Sequence, residues 1–281
     1  MNKQTARLLE QHFETAFDSP DGIKKLRELI LTLAMRGRLV PQDPNDQPAS
    51  ELLKEIAAEK ARLIKEGKLK PQKPLPQIDP KEIPYEIPAS WQWVQLANIG
   101  EVNPRNSFNN DANAGFVPMP LISANFGVKH GFEVKKWSEI KSGYTHFADG
   151  DVGLAKITPC FENGKSCIFE NLPNGIGAGT TELHIFRNTF KAIYPPYLLA
   201  YLKNPRYLEI GATKMTGSAG QKRVPAAYFG CNPFPLPPIA EQKRIVARVE
   251  QLMALCDGLE QSIAAAGESR SALLNALMSK V

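Results

Sequence analysis

Ten residues from Lys214 to Arg223 combine small, polar and basic side chains with no acidic one among them. Glycines in such a segment let backbone amides approach an anion closely, and lysine and arginine are suited to phosphate. The candidate contacts are Lys214, Thr216, Ser218, Gln221, Lys222 and Arg223. The segment therefore predicts a loop that grips a phosphate backbone, with Gln221 and Arg223 either reaching base edges or bracing the loop.

Two further sets of polar side chains lie upstream of this loop. The first is rich in amides and comprises Asn103, Arg105, Asn106, Asn109, Asn110 and Asn125. Amide side chains pair well with adenine edges, but asparagines beside glycine and proline also form turns, so both roles stay open. The second set comprises Lys156, Thr158, Asn163, Lys165, Thr180 and Thr181. It predicts either phosphate contacts or the scaffold of a binding cleft.

Three motifs in the same region resemble parts of enzymes. The segment Tyr194-Pro-Pro-Tyr197 lacks the leading acid or amide of amino-methyltransferases, whose side chain accepts a hydrogen bond from the target amine. The segment Gly175-Ile-Gly-Ala-Gly179 is followed by a strand-like run and not by a helix, which a cofactor loop requires. The charges of Asp149, Asp151, Glu162 and Lys165 lack the compact spacing of a nuclease centre. We therefore predict a chain without a catalytic or metal site.

A long helix must follow the loop, because Pro237 and Pro238 are suited to a helix entry and Glu241 complements the helix dipole. From there apolar residues recur at alternating steps of four and three, as in a coiled coil. The predicted assembly positions are Ile245, Val249, Leu252, Cys256, Leu259 and Ile263. Such a seam needs a partner helix to cover it, either in another chain or in an ordinary helical bundle.

Several long phrases resemble the specificity (S) subunit of type I restriction-modification systems. They are Leu33-Ala-Met-Arg-Gly-Arg-Leu-Val-Pro-Gln-Asp-Pro-Asn-Asp46, Gly150-Asp-Val-Gly-Leu-Ala-Lys-Ile-Thr-Pro-Cys-Phe-Glu-Asn-Gly-Lys165, Gly179-Thr-Thr-Glu182, Met215-Thr-Gly-Ser-Ala-Gly-Gln-Lys-Arg-Val-Pro225, Pro235-Leu-Pro-Pro-Ile-Ala-Glu-Gln-Lys-Arg-Ile-Val246 and Met253-Ala-Leu-Cys-Asp-Gly-Leu-Glu260. The resemblance covers nearly the whole chain in family order, with a variable part between about 98 and 150.

The resemblance implies a non-catalytic subunit that reads one half of a split DNA target through a single target recognition domain. It implies partners as well: double-stranded DNA, methyltransferase (M) subunits and restriction (R) subunits. S-adenosylmethionine, ATP and magnesium would then belong to those partners, and this chain would carry no cofactor. Because the shared loop phrase recurs in members with different targets, the resemblance favours phosphate positioning over base reading for residues 214–223. Self-association through the carboxyl-terminal helix is the other assembly that the seam allows.

The predicted fold is α+β, with a helical amino-terminal segment, a globular recognition domain built on a mixed sheet, and a long coiled-coil helix. We expect boundaries at 1–88, 89–236 and 237–281. Helices are predicted from Thr5 to Phe17, from a cap at Ser19 to Gly37, and from a cap at Ser50 to Gly67. Six prolines between 71 and 88 predict an extended strap. Strands are predicted at 93–96, 151–157, 165–169 and 182–186, and a further helix at 196–203.

Composition agrees with a folded chain that contacts DNA as one part of a complex. The 281 residues include 34 basic against 29 acidic ones, a mild excess that lies below that of an autonomous nucleic-acid binder. The four cysteines and four histidines show no zinc-ligand spacing, and no membrane span or signal peptide is predicted, so we expect a cytoplasmic protein. The alternatives are a stand-alone adenine methyltransferase and a coiled-coil scaffold without a DNA role.

Overall fold

A computed structural model describes residues 20–69 and 74–278 of the chain. The helix predicted from Thr5 to Phe17 and the first three positions of the proline strap lie outside these ranges. The fold is α+β, as predicted, with helices at both ends of the chain and strands between them. Among residues 20–69 and 74–278, every helix is too short or too polar to span a bilayer.

Two helices open the described part of the chain: α1, Pro20–Met35, and α2, Ala49–Lys65. Gly37 and Gly67 adopt positive φ angles of 64° and 71° just after them, as the sequence predicted for helix ends. The predicted cap at Ser50 was wrong, because α2 already begins at Ala49 and its cap position is Pro48. From 74 to 88 the strap contains a single helical turn, Pro80–Glu82, and no strand.

The strands form three small sheets where the sequence predicted one mixed sheet. The first pairs β1, Gln92–Val94, with β10, Phe234–Leu236. The second is antiparallel and has the order β2, Glu101–Val102; β9, Leu183–Arg187; β6, Val152–Ala155; β7, Ser166–Ile168. The third has the order β4, Glu133–Lys136; β3, Asn113–Val117; β8, Ile176–Gly179; β5, Thr145–Ala148. Only the third is mixed, because β3 and β8 run parallel.

Gly177 and Gly179, from the segment that resembles a cofactor-binding loop, lie in strand β8. A Cβ atom on Gly177 would lie 2.5 Å from both the carbonyl oxygen of Gly115 and the ring of Phe147. A Cβ atom on Gly179 would lie 2.3 Å from the carbonyl oxygen of Val117. The glycines therefore allow close packing inside a buried strand, and the sequence alone did not reveal β8 because glycine has low strand propensity.

Six helices follow within and after the sheets. They are α3, Leu96–Ile99; α4, Trp137–Ile140; α5, Pro195–Leu202; α6, Pro205–Thr213; α7, Ala226–Cys231; and α8, Ile239–Met278. The structure confirms the helix predicted at 196–203 as α5 and the predicted start of the long helix at Ile239. Helix α8 continues unbroken past Gly258 and Gly267, and at ~1.5 Å rise per residue it is about 60 Å long.

Helix α1 of the same chain covers the first part of the α8 seam. Ile245 and Val249 are 0% exposed and Cys256 is 2% exposed, in one apolar cluster with Ile23 and Ile30 of α1. Leu252, Leu259 and Ile263 are partly buried against that cluster. The partner helix that the seam required is therefore intramolecular over this stretch, and Ile245, Val249 and Cys256 are closed to any other chain. The sequence pattern did not show whether the partner helix lies in the same chain or in another chain, because the heptad seam is the same in both arrangements.

Candidate nucleic-acid interface

The glycine-rich loop folds into a tight hairpin. Thr216 and Arg223 exchange both backbone hydrogen bonds, at 3.0 and 2.8 Å between nitrogen and oxygen. Within the turn, Gly217 and Gly220 adopt φ angles of +122° and +75°, which side chains with a Cβ atom rarely tolerate. The exposed residues of the hairpin include Lys214, Thr216, Ser218, Gln221 and Lys222. The hairpin thus presents hydroxyl, amide and ammonium groups to solvent on a short, constrained backbone.

Arg223 anchors the hairpin to Glu182. Its guanidinium donates to both carboxylate oxygens of Glu182, at 2.9 and 2.8 Å, and its third nitrogen donates to the carbonyl oxygen of Gln221. The arginine holds the pKa of Glu182 below its ordinary value through these bonds. Of the two roles that the sequence left open for Arg223, the geometry supports the brace.

Backbone hydrogen bonds join the same hairpin to the end of β6. Thr158 donates to the carbonyl oxygen of Lys222 at 2.9 Å, and Val224 donates to the carbonyl oxygen of Lys156 at 2.8 Å. Beneath them the buried His184 ring lies 2.9 Å from the carbonyl oxygen of Val224 through Nε2, so that nitrogen carries the hydrogen. Burial lowers the pKa of His184. The hairpin is consequently fixed in position by Glu182, by the segment 156–158 after β6 and by His184 of β9.

Three strands meet beside this hairpin at one margin of the third sheet. Gly179, the last residue of β8, is paired with Val117 at the end of the parallel strand β3 and with Thr145 at the start of β5. The segments 118–119, 143–145 and 180–182 therefore lie side by side where they leave or enter the sheet. We call this margin the Gly179 edge.

Most of the predicted contact residues converge on the Gly179 edge. Lys156 donates its backbone N–H to the carbonyl oxygen of Glu182, next to Thr180 and Thr181. The ammonium group of Lys165 lies 3.3 Å from the carbonyl oxygen of Met119. The guanidinium of Arg105 donates to the carbonyl oxygen of Tyr144 at 3.1 Å. Because Glu182 also holds Arg223, residues from four distant parts of the sequence form one polar, basic margin.

Asn103 and Asn106 use their side chains inside the protein. The Oδ1 atom of Asn103 accepts from the backbone N–H of Ile185 at 3.0 Å. The amide of Asn106 donates to the carbonyl oxygen of Phe147 and accepts from Arg187, the arginine that pairs with buried Asp151. These contacts brace β5 against β9, and they take up the groups that an adenine edge would need. The sequence could not separate this use from base contact, because both require a short amide beside a turn.

The enzyme-like motifs also have structural roles. Burial raises the pKa of Asp151 although Arg187 opposes that shift, and Asp149 accepts from the backbone N–H of Leu172. In the Pro-Pro-Tyr motif, buried Tyr197 donates its hydroxyl to the carbonyl oxygen of Pro235 at 3.0 Å. Across residues 20–69 and 74–278, no group of three or more histidine, cysteine or acidic side chains is placed to hold a metal ion.

The sequence did not indicate that Glu241 and Lys203 are buried. Glu241 is 1% exposed and accepts from the indole N–H of Trp91 at 2.9 Å and from Gln42. Lys203 is 7% exposed, and its ammonium group donates to the carbonyl oxygens of Ser123, Ala124 and Gly164 at 3.2, 2.9 and 3.0 Å. Burial lowers the pKa of Lys203 to about 7. The three hydrogen bonds to carbonyl oxygens favour the charged form of the amine. A lysine at a helix end carries no sequence signal for such burial.

A family model of the type I restriction modification DNA specificity domain matches residues 88–266. The chain belongs to this family. Two similar relatives are specificity subunits of the type I restriction enzymes EcoAI and EcoEI from Escherichia coli, with 57% and 54% identity over 258 residues. These alignments cover 92% of this chain but only 44% and 43% of the relatives, so the chain spans less than half of their length.

Solved structures give weaker similarities. A chain from a structure of the type I R-M system has a TM-score of 0.48 at 18% identity, covering 89% of this chain and 54% of that one. The HsdS subunit from Thermoanaerobacter tengcongensis has a TM-score of 0.44 at 17% identity, covering 86% of this chain and 51% of that one.

Proposed function

We propose that this chain is the DNA-reading, non-catalytic part of a type I restriction-modification complex and that it recognises one half of a bipartite target. The observation that carries the proposal is the convergence of the hairpin, Lys156, Lys165, Thr180 and Arg105 on the Gly179 edge. Family membership and the naming of its relatives as specificity subunits support the same role. A role on cellular DNA would place the chain in the cytoplasm.

The Gly179 edge is better suited to contact the phosphate backbone of DNA than to contact the bases. Its hairpin is rigid, which lets backbone amides and short hydroxyls meet a phosphate without further ordering. Its acidic member, Glu182, is neutralised by Arg223, so Lys156, Lys165, Lys214 and Lys222 set the local charge. Such contacts fix the register of the duplex and leave sequence discrimination to other residues.

The distal part of α8 is the surface that we assign to assembly. From 264 to 269 every side chain of the helix is exposed, and Leu277 and Met278 are 58% and 70% exposed. The proposed partners there are methyltransferase and restriction subunits, or a second copy of this chain. S-adenosylmethionine, ATP and magnesium would be bound by those partner subunits and not by this chain.

Binding to duplexes at several salt concentrations tests the proposal. We expect the purified chain, alone and with a methyltransferase subunit, to prefer some sequences in a randomised duplex library and to lose affinity steeply as salt rises. Absence of any sequence preference in both samples would sink the proposal. Binding of S-adenosylmethionine by the isolated chain would support the methyltransferase alternative, and a flat salt dependence would support a scaffold.

A further inference from the structure

An exposed loop, residues 123–131, begins near the Gly179 edge, which the hairpin also borders. It follows β3 through the helical turn Met119–Leu121, whose first carbonyl oxygen accepts from Lys165. The backbone N–H of Gly131 donates to the carbonyl oxygen of Leu121, which closes the base of the loop. At its tip Asn125, Val128 and Lys129 are exposed.

Asn125 differs from the other asparagines of the amide-rich set. Asn109 and Asn110 have their Oδ1 atoms occupied by the N–H of Asp111 and the ammonium of Lys141, and Asn103 and Asn106 are used as described above. Within the described residues, the side chain of Asn125 makes no hydrogen bond, and only its backbone N–H is used, by the hydroxyl of Ser123. Reading adenine needs Oδ1 and Nδ2 together, and in this set Asn125 alone keeps both.

Anchors on both sides of the tip hold the loop in shape. On one side Lys203 donates to the carbonyl oxygens of Ser123 and Ala124, and its third bond to Gly164 ties them to the turn before β7. On the other side the Nε2 atom of His130 accepts from the backbone N–H of Glu170, and its ring packs 5.3 Å from that of Phe169. The tip is thus exposed but pre-organised, as a side chain that discriminates between bases must be.

Resting on the proposed function, we propose that Asn125 reads the adenine of an A·T pair in the major groove and that Lys203 is the positioning residue that holds it there. Val128, 49% exposed on the same tip, supplies the apolar surface that a thymine methyl group contacts. Asn125 and Val128 also line a cleft of about 880 Å³. The duplex would therefore approach them from the open side of this cleft.

Selection from a randomised duplex library, followed by affinities for single-base variants of the selected duplex, tests this assignment. We expect N125A to lower discrimination at one A·T position by about 10- to 100-fold, the range for one bidentate base contact, with unchanged binding to random duplex and an unchanged salt slope. The control N110A changes an exposed asparagine of the same set whose carbonyl is already occupied. It should leave the selected sequence unchanged.

The Lys203 variants separate positioning from folding. We expect K203M to lose discrimination at the same base pair and to raise hydrogen exchange of the amides at 124–131 without raising it in β6 and β9. K203R, which retains charged donors, should keep part of the discrimination that K203M loses. K54M, at an exposed position of α2, should have no effect. Because N125A alters only the surface, it decides the question even where K203M unfolds.

The outcomes distinguish the two proposals. A selected sequence that N125A leaves intact overturns the assignment to Asn125 while the proposed function stands. A position that N125A relaxes but that selects G·C in the intact chain overturns the adenine assignment. Absence of any selected sequence for the intact chain overturns the proposed function, and this inference with it.

Discussion

The contact between α1 and the first part of α8 and the Gly179 edge both join residues far apart in the sequence, yet they differ in what they contribute. The helix buries Ile245, Val249 and Cys256 against α1 in the main apolar cluster. The hairpin beside the edge keeps Lys214, Ser218 and Lys222 exposed on a braced backbone. The first region therefore stabilises the fold and the second is free to bind. Substitutions in the two regions should separate stability from DNA binding.

The largest expected effect is on stability, from Ile245→Ala. Ile245 is 0% exposed, so the change leaves a cavity between α8 and α1 and should lower the free energy of unfolding by about 3 kcal/mol. Urea denaturation measures it. The control Leu255→Ala changes a side chain that is 68% exposed on the same helix and should cost less than about 0.5 kcal/mol. Equal losses from both variants would contradict the intramolecular seam.

Glu241→Ala should have the next largest effect. It leaves the buried indole N–H of Trp91 and the amide of Gln42 without their acceptor, which costs about 2 kcal/mol of stability. Glu250→Ala, at an exposed position of the same helix, is the matched control. Affinity for DNA below the unfolding transition should stay at its original value in both variants. A loss of affinity from Glu241→Ala alone would show that the contacts of Glu241 with Trp91 and Gln42 also set the geometry of the Gly179 edge.

The double variant Lys214→Ala and Lys222→Ala should weaken DNA binding and leave stability unchanged. The slope of log affinity against log salt should become shallower by about 2, one unit for each phosphate contact, with affinity about tenfold weaker and the melting temperature unchanged. Lys54→Ala with Lys65→Ala removes the same charge from α2 and should leave the slope unchanged. A slope that both double variants change equally would mean that net charge, and not the edge, holds the duplex.

The smallest effect concerns pH. Because burial lowers the pKa of His184 below its ordinary 6.5, the unfolded chain binds more protons than the folded one just below that pH. Stability from this group is therefore present above pH 6.5 and is lost as pH falls through the folded pKa. His184→Gln should reduce the fall in melting temperature between pH 7.5 and 5.5. His146, whose pKa burial also lowers, should account for a further part, so His146→Gln is the companion variant.

Local sequence signals were sufficient wherever neighbours in the chain decide the conformation. Proline and glycine set the start of α8 at Ile239 and the ends of α1 and α2, because these residues restrict or extend φ irrespective of the surroundings. Strands β6, β7 and β9 were near their predicted positions because their apolar runs are bounded by turn residues. The family phrases likewise pointed to the specificity domain that residues 88–266 match.

Only the tertiary structure decided which polar and apolar side chains are available. In the sequence, Asn103, Asn110 and Asn125 are equally good candidates for base contact. The sequence also does not reveal which helix covers the α8 seam. Long-range contacts occupy the first two amides, leave the third unpaired in the described part of the chain, and place α1 on the seam. The physical reason is that burial and hydrogen bonding depend on residues brought together across the fold, which neither residue type nor spacing encodes.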